Sequence, residues 1–148
     1  MRFAAVLVFA AATAMPVHAA PADALFEEFG LIGSWAFNCQ APASPANPHV
    51  SITVPNPGLV LEEHSLGANY AVNRYSIVSA ERLSADELAV EVIFQPGTDA
   101  EERQKLVFLI RDKTRRTMFN QVEDGPVRVK DGIALARGSK TPVLKKCE

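Results

Sequence analysis

The fold is decided by the stretch Leu31-Ile32-Gly33-Ser34-Trp35-Ala36-Phe37-Asn38-Cys39, which holds the only tryptophan and one of only two cysteines. Its apolar residues predict a first strand. The second cysteine, Cys147, lies one residue before the last residue given. A bond between the two cysteines would tie this first strand to the far end of the chain and favour one closed domain.

The N-terminal residues have the composition of a secretory signal. Arg2 is followed by an apolar run from Phe3 to Met15 and then by small residues up to Ala20. This is the charged, apolar and cleavage-site pattern of a signal peptide. The apolar run is shorter than the ~20 residues needed to span a bilayer. We expect a signal peptide over residues 1–20, cleavage after Ala19 or Ala20, a single domain over residues 21–148, no membrane span, and a periplasmic or secreted protein.

The two cysteines predict a disulfide in an exported chain of this size, and only one intramolecular pairing is possible. Free thiols or an intermolecular bond are the alternatives. A loop closed by Cys39 and Cys147 would be stabilised by about 4 to 5 kcal/mol in the chain-entropy description.

Charge is distributed unevenly along the chain. Without Arg2 the side chains comprise 14 basic and 17 acidic groups, so the net charge is 14 − 17 = −3, which disfavours nucleic-acid binding. Residues 20–102 carry 2 basic and 12 acidic groups, whereas residues 103–148 carry 12 basic and 5 acidic groups. We favour the interpretation that strands from the two parts lie side by side and neutralise each other's side-chain charges. The alternative is that the basic residues form one face of the protein and bind an anionic partner there.

Hydrophobic periodicity predicts one short helix followed by strands. Residues 22–29 form an amphipathic helix that Asp23 can cap and Gly30 can end. Period-two alternation interrupted by turn residues then predicts antiparallel strands. Besides the first strand, we expect them at residues 49–54, 59–64, 70–78, 88–94, 105–111, 115–122, 127–130 and 133–137.

Short connections between these strands predict an all-β, antiparallel up-and-down meander of eight or nine strands. Such a meander closes into a barrel or folds into a sandwich. A small barrel is favoured, because closure removes exposed edges. It also makes the first and last strands neighbours, and a bond between Cys39 and Cys147 forms more easily in that arrangement.

The short helix, the Gly33-Ser34-Trp35 tripeptide opening the first strand, and the late cysteine together resemble the lipocalin-like, or calycin, superfamily. The chain is also similar to small exported proteins of Gram-negative bacteria that have no established activity. The resemblance implies a β-barrel that binds a ligand, with Trp35 at its closed end under an arginine of the last strand. Arg137 is the candidate arginine and Arg128 the second choice.

Aromatic side chains are the candidates for lining such a cavity. An eight-stranded barrel is either filled by its own side chains or holds one small ligand. Large aromatic residues also dominate ordinary cores, so both roles stay open for them. The candidates are Trp35, Phe37, Tyr75, Phe94, Phe108 and Phe119, with Tyr70 as a further large group.

Catalytic and metal-binding patterns are missing from the sequence. No Gly-x-Ser-x-Gly or His-Glu-x-x-His motif is present. Glu63 and His64 point to opposite faces of a strand and do not converge as metal ligands. Because metal-ligand spacing is missing, His49 and His64 are interpreted as surface residues. The pair Glu62-Glu63 is interpreted as a solvated face. We expect neither an enzyme nor a bound cofactor or metal.

Two functions remain as hypotheses. The first is an exported, non-enzymatic barrel that binds a small apolar or amphipathic molecule. The second is a periplasmic protein-binding module, such as an inhibitor or envelope accessory, that acts through its loops and a basic rim. That rim would consist of Arg111, Lys113, Arg115 and Arg116, which flank one turn.

Overall fold

The computed structural model describes residues 20–148, so the predicted signal segment lies outside the described residues apart from Ala20. The chain forms one short helix and then only strands. These elements are α1 (Ala22–Glu28), β1 (Gly33–Ala36), β2 (His49–Asn56), β3 (Leu59–Ser65), β4 (Asn73–Arg82), β5 (Glu87–Phe94), β6 (Glu102–Arg111), β7 (Thr114–Val122), β8 (Val127–Lys130), β9 (Ile133–Ala134), β10 (Ser139–Lys140) and β11 (Leu144–Lys146).

The strands form a closed antiparallel barrel of eight strands, as predicted. Strands β1 to β7 follow one another as a meander, and β11 lies between β7 and β1. Trp35 of β1 pairs with Lys146 of β11 and with Val50 of β2. The first strand and the chain's last strand are therefore neighbours, which is the arrangement inferred from the two cysteines.

Strands β8, β9 and β10 extend the sheet from β7 and are not part of the closed barrel. Strand β7 pairs with β11 at residues 114–115 and with β8 at residues 120–121. Between these two ladders, residues 116–119 have no sheet partner on that side. Within this segment the Thr117 carbonyl accepts a hydrogen bond from the Thr141 hydroxyl at 2.7 Å, and the Met118 carbonyl accepts one from the Gly132 N–H at 2.9 Å. We call this break in the strand pairing between β8 and β11 the β7 gap.

Helix α1 covers one end of the barrel with two apolar side chains. Leu25 and Phe26 are buried in the same cluster as Trp35. The helix ends at Glu28, and Gly30 follows it with a φ of +65° that allows the Leu31 N–H to bond back to the Phe26 carbonyl at 2.8 Å. Within residues 20–148 no helix is both long and apolar enough to cross a bilayer.

The predicted capping role of Asp23 is wrong. Pro21 occupies the N-cap position, and no side chain caps the helix. The Asp23 carboxylate instead accepts a hydrogen bond of 2.8 Å from the N–H of Gly58, in the turn between β2 and β3. Asp23 therefore attaches the helix to the barrel end that it covers.

Cys39 and Cys147 form a disulfide, with their Cα atoms 5.7 Å apart. Beside it, the Cys147 N–H donates to the Ser34 carbonyl at 2.8 Å. Ion pairs also join the acidic first part of the chain to the basic second part, as mutual neutralisation predicts. They are Glu62–Arg115, Asp86–Arg111, Glu91–Lys105 and Glu102–Arg128.

Candidate ligand-binding site

The barrel is hollow towards the end opposite α1. A cavity of about 310 Å³ opens there. It lies beyond the buried cluster that includes α1, and the ends of β3 and β5 that point away from the helix contribute to its lining. Inward-facing residues of five strands form its apolar wall, namely Val50, Ile77, Val92, Leu106, Phe108 and Leu144.

A buried ion pair lies inside the barrel wall. Glu62 on β3 and Arg115 on β7 are each only 3% exposed. The Arg115 guanidinium donates two hydrogen bonds to the Glu62 carboxylate, at 3.0 and 2.7 Å. It also lies over the Phe108 ring, 4.5 Å from the centroid. The bidentate pair leaves both charges neutralised within the cavity lining.

The Glu62 carboxylate stays ionised. Burial alone would raise its pKa, but the attraction of the Arg115 charge and a hydrogen bond from His64 outweigh burial and lower the pKa to about 2. His64 Nε2 lies 2.5 Å from a Glu62 oxygen. Because a carboxylate can only accept, Nε2 carries the proton of this bond.

A row of rings continues from His64 along the cavity. The His64 and Tyr75 ring centroids are 5.0 Å apart, and those of Tyr75 and Phe94 are 5.1 Å apart. Burial, followed by the nearby Glu62 charge, raises the pKa of Tyr75 to about 12. Its phenol therefore stays protonated at neutral pH and presents a hydroxyl beside the ion pair.

Two amide side chains form a second polar group in the lining. Asn120 donates to Gln104 at 2.8 Å, and Gln104 donates to Glu102 at 2.5 Å. Glu102 in turn binds Arg128 through both of its oxygens. Because the Glu102 carboxylate only accepts, it fixes the direction of every bond in this chain. The Asn120 Oδ1 atom is left buried with no partner in the described residues.

The six aromatic candidates occupy three different environments. Tyr75, Phe94 and Phe108 line the cavity, whereas Trp35 is 1% exposed in the core, where its indole N–H donates to the Leu31 carbonyl at 2.8 Å. Phe37 is 59% exposed, because β1 ends at Ala36 and the chain turns away before Phe37 can share the inward face.

Phe119 and Tyr70 also lie outside the cavity. Phe119 pairs with Val107, whose sequence neighbours on β6 face inward, so the alternation of the strand directs Phe119 to the outer surface. Tyr70 is exposed in the connection between β3 and β4. Neither ring contributes to the cavity lining.

The four residues predicted to form a basic rim do not lie together. Arg111 pairs with Asp86 at the α1 end of the barrel, and Lys113 is exposed in the turn before β7. Arg115 is inside the barrel, and Arg116 lies at the β7 gap. The reason is that β7 begins at Thr114, so consecutive residues alternate between its two faces.

Lys146, not an arginine, lies over the tryptophan. Its Nζ is 5.6 Å from the centroid of a Trp35 ring. Arg137 is exposed in the turn between β9 and β10, and Arg128 pairs with Glu102 at the cavity. The expected arginine partner of Trp35 is therefore wrong, because the strand beside β1 is β11. Gly33 lies at the start of β1, opposite Ile52.

The interpretation of Glu62 and His64 as surface residues is also wrong. Glu63 does point outward, where it pairs with Arg74, but Glu62 and His64 are two residues apart and share the inner face. Period-two alternation with Val60 was the sequence signal for this placement. His49 is half-buried, and its ring lies 2.9 Å from the Ala41 carbonyl. Residues 20–148 contain no group of three or more His, Cys, Asp or Glu side chains that could hold a metal ion.

Comparison with known proteins gives no relative from which a function can be transferred. No protein-family model, curated protein or solved structure matches the chain. The chemistry of the cavity is therefore the basis for assigning a function.

Proposed function

We propose that this protein is an exported, non-enzymatic binding protein that holds one small amphipathic molecule inside its barrel. The observation that carries the proposal is the hollow end of the barrel, where an apolar wall meets buried and hydrogen-bonded polar groups. Ligand sites in proteins have this composition, with a mainly apolar lining and a few fixed polar groups.

The size of the cavity limits the ligand. A volume of about 310 Å³ is near the lower end of the range of roughly 300 to 1,000 Å³ for small-molecule sites. At roughly 30 Å³ per water molecule, it corresponds to about ten waters. We therefore expect a ligand with on the order of ten non-hydrogen atoms.

The buried ion pair supports a role beyond stability. Removing two charges from water is costly, and apolar side chains of similar volume often stabilise a core as well or better. Glu62 and Arg115 nevertheless occupy the inside of the barrel, next to the open space. We interpret them, with His64 and Tyr75, as a polar wall that orients a ligand carrying both polar and apolar parts.

We also propose that the chain belongs with the lipocalin-like proteins and acts in the periplasm or outside the cell. The closed eight-stranded barrel, the helix over one end and the buried Trp35 of the Gly-x-Trp tripeptide support the first assignment. The disulfide supports the second, because such bonds persist in oxidising compartments.

A binding screen with a cavity-filling variant tests the proposed function. The mature protein is mixed with a library of small amphipathic molecules, and complexes are detected by native mass spectrometry and titration calorimetry. Ile77→Phe adds volume to the cavity wall, whereas the matched variant Val78→Phe adds it to the exposed outer face. We expect Ile77→Phe to weaken binding at least about tenfold and Val78→Phe to leave it unchanged.

The wild-type result decides the proposal independently of the variants. If no library compound binds in the cavity, the proposed function is wrong. Equal weakening by Ile77→Phe and Val78→Phe would place the binding site elsewhere and would also contradict it.

A further inference from the structure

The cavity lining carries one permanent positive charge that no carboxylate in residues 20–148 neutralises. Three arginines line the cavity, and two of them are paired, Arg115 with Glu62 and Arg128 with Glu102. The third is Arg116, which makes no ion pair with any residue in the described part of the chain. With both pairs cancelled, the permanent charge left at the cavity is that of the Arg116 guanidinium, beside His64, which is charged only when protonated.

The Arg116 guanidinium is held in place by neutral oxygens. Its Nε donates to the Thr141 hydroxyl at 3.0 Å, and its Nη2 donates to the Gly132 carbonyl at 2.5 Å. A guanidinium has five N–H donors, so three remain unused by these bonds. Gly132 has a φ of +71°, and a Cβ at this position would lie 2.5 Å from Nη2. The turn between β8 and β9 therefore packs its backbone directly against the cation.

The lining of the cavity extends to Arg116 at the β7 gap. Arg116, Thr117, Thr141 and Pro142 belong to its lining, and they lie where β7 has neither β8 nor β11 as a sheet partner. The same cavity is continuous with the apolar wall that includes Leu144. A molecule with one charged end can thus place that end at Arg116 and its apolar part in the barrel.

We propose that the ligand is a small monocarboxylic acid whose carboxylate binds Arg116 at the β7 gap. This inference rests on the proposed function and specifies the chemical class of the ligand. A planar carboxylate matches the fork of a guanidinium, and its single charge matches the single uncompensated cation. A phosphate monoester carries about −1.5 to −2 at neutral pH and would exceed that charge.

Matched acids and alcohols test the charge requirement on the wild-type protein. Calorimetric titration compares cinnamate with cinnamyl alcohol and octanoate with octanol, so that each pair shares one carbon skeleton. We expect at least one acid to bind about tenfold or more tightly than its alcohol, because a charge-assisted hydrogen bond is roughly twice as strong as a neutral one. If neither acid binds more tightly than its alcohol, the inference is wrong.

Variants at the gap test the position of the carboxylate. Arg116→Gln should reduce the preference for the acid to about twofold or less, whereas Arg137→Gln, which removes an exposed cation elsewhere, should leave it unchanged. Gly132→Ala should also weaken acid binding, because its Cβ displaces the guanidinium. Gly138→Ala is its control, with a φ of +63° and no atom within 4 Å of the added Cβ. Unchanged acid preference in both Arg116→Gln and Gly132→Ala would overturn the inference.

The outcomes separate this inference from the proposed function. If the ligands that the screen finds in the cavity are neutral or cationic, the inference of a monocarboxylate is wrong and the proposed function stands. Octyl phosphate binding more tightly than octanoate would likewise replace the carboxylate by a phosphate. A screen with no cavity ligand at all overturns both. The wild-type comparison of acid and alcohol remains decisive even if Arg116→Gln does not fold.

Discussion

Glu62 places a carboxylate inside the barrel, where it is almost fully buried and paired with Arg115. The alternation of β3 directs it inward with Val60 and His64, whereas its neighbour Glu63 faces solvent, so interpreting the pair as one solvated face is wrong for Glu62. The alternation was visible in the sequence. Its partner was not, because Arg115 lies on a strand that meets Glu62 only across the closed barrel. The sequence therefore indicates that Glu62 faces inward, but it does not identify the arginine that neutralises its charge there.

Replacing Glu62 should destabilise the protein strongly. Glu62→Gln leaves the Arg115 charge buried without its carboxylate, and we expect the free energy of unfolding to fall by about 3 to 5 kcal/mol. The matched control is Glu63→Gln, which breaks an exposed pair with Arg74 and should cost less than about 1 kcal/mol. Urea denaturation measures both changes. A cost below about 1 kcal/mol for Glu62→Gln would contradict the buried ion pair.

The same carboxylate gives the stability a defined pH dependence. The pKa of Glu62 is lowered from 4.5 to about 2 in the folded protein, so its stabilising effect is complete above the unfolded value and is lost as the pH falls towards the folded value. The shift corresponds to about 3 kcal/mol. We expect wild-type stability to fall between about pH 5 and pH 2 by that amount more than the stability of Glu62→Gln. Parallel curves for the two proteins would show that Glu62 is not the group responsible.

At the scale of single elements, strand existence was predicted better than strand bounds. Most central strands agree with the period-two pattern to within a few residues, but β4 runs from Asn73 to Arg82, later than the expected 70–78. The alternation there is weak, since Tyr75 and Ile77 face inward but the next residue, Val78, is apolar and exposed at a bulge. The sequence pattern predicts neither β10 nor β11, because strands of two and three residues made largely of lysines carry no alternating pattern.

Helix α1 should stabilise the protein through the side chains that it buries at the barrel end, and not through helix formation by itself. Seven residues are too few for an independent helix, but Phe26 is fully buried. Phe26→Ala should lower the free energy of unfolding by about 3 to 5 kcal/mol. Phe37→Ala removes the same side chain from an exposed site and should change it by no more than about 0.5 kcal/mol. Similar values for the two variants, measured in urea, would mean that α1 does not close the barrel end.

At the scale of the whole molecule, the closure of the barrel was predictable from the two cysteines. Their positions implied that the first and last strands are adjacent, and the Trp35 to Lys146 pairing has that arrangement. The contents of the barrel were not predictable. Whether Gln104 and Asn120 meet each other or meet solvent depends on strand register across β6 and β7, which the sequence pattern does not specify.

The disulfide should account for a large share of the stability of the whole chain. Its bonded cysteines are 108 residues apart, and the chain-entropy description assigns about 4 to 5 kcal/mol to a loop of this length. The double variant Cys39→Ala with Cys147→Ala should lose that amount in urea denaturation under non-reducing conditions. A reducing agent should destabilise the wild type and leave the variant unchanged. Two alkylatable thiols in the exported wild type, detected by mass spectrometry, would refute the bond.

The position of β11 between β1 and β7 also has a consequence for the order of folding events. The hairpins from β2 to β7 join neighbours in sequence and form by local steps, whereas the seam between β1 and β11 joins residues from opposite ends of the domain. To form this seam the chain must close a loop of about a hundred residues, and the entropy of that loop is lost before the hydrogen bonds between β1 and β11 can form. The disulfide already holds these ends together in the oxidised protein, so this cost applies only when the cysteines are not bonded. In the double variant Cys39→Ala with Cys147→Ala, amides of β11 should therefore be the last to gain protection in pulsed hydrogen exchange, and refolding should be slower than in the oxidised wild type.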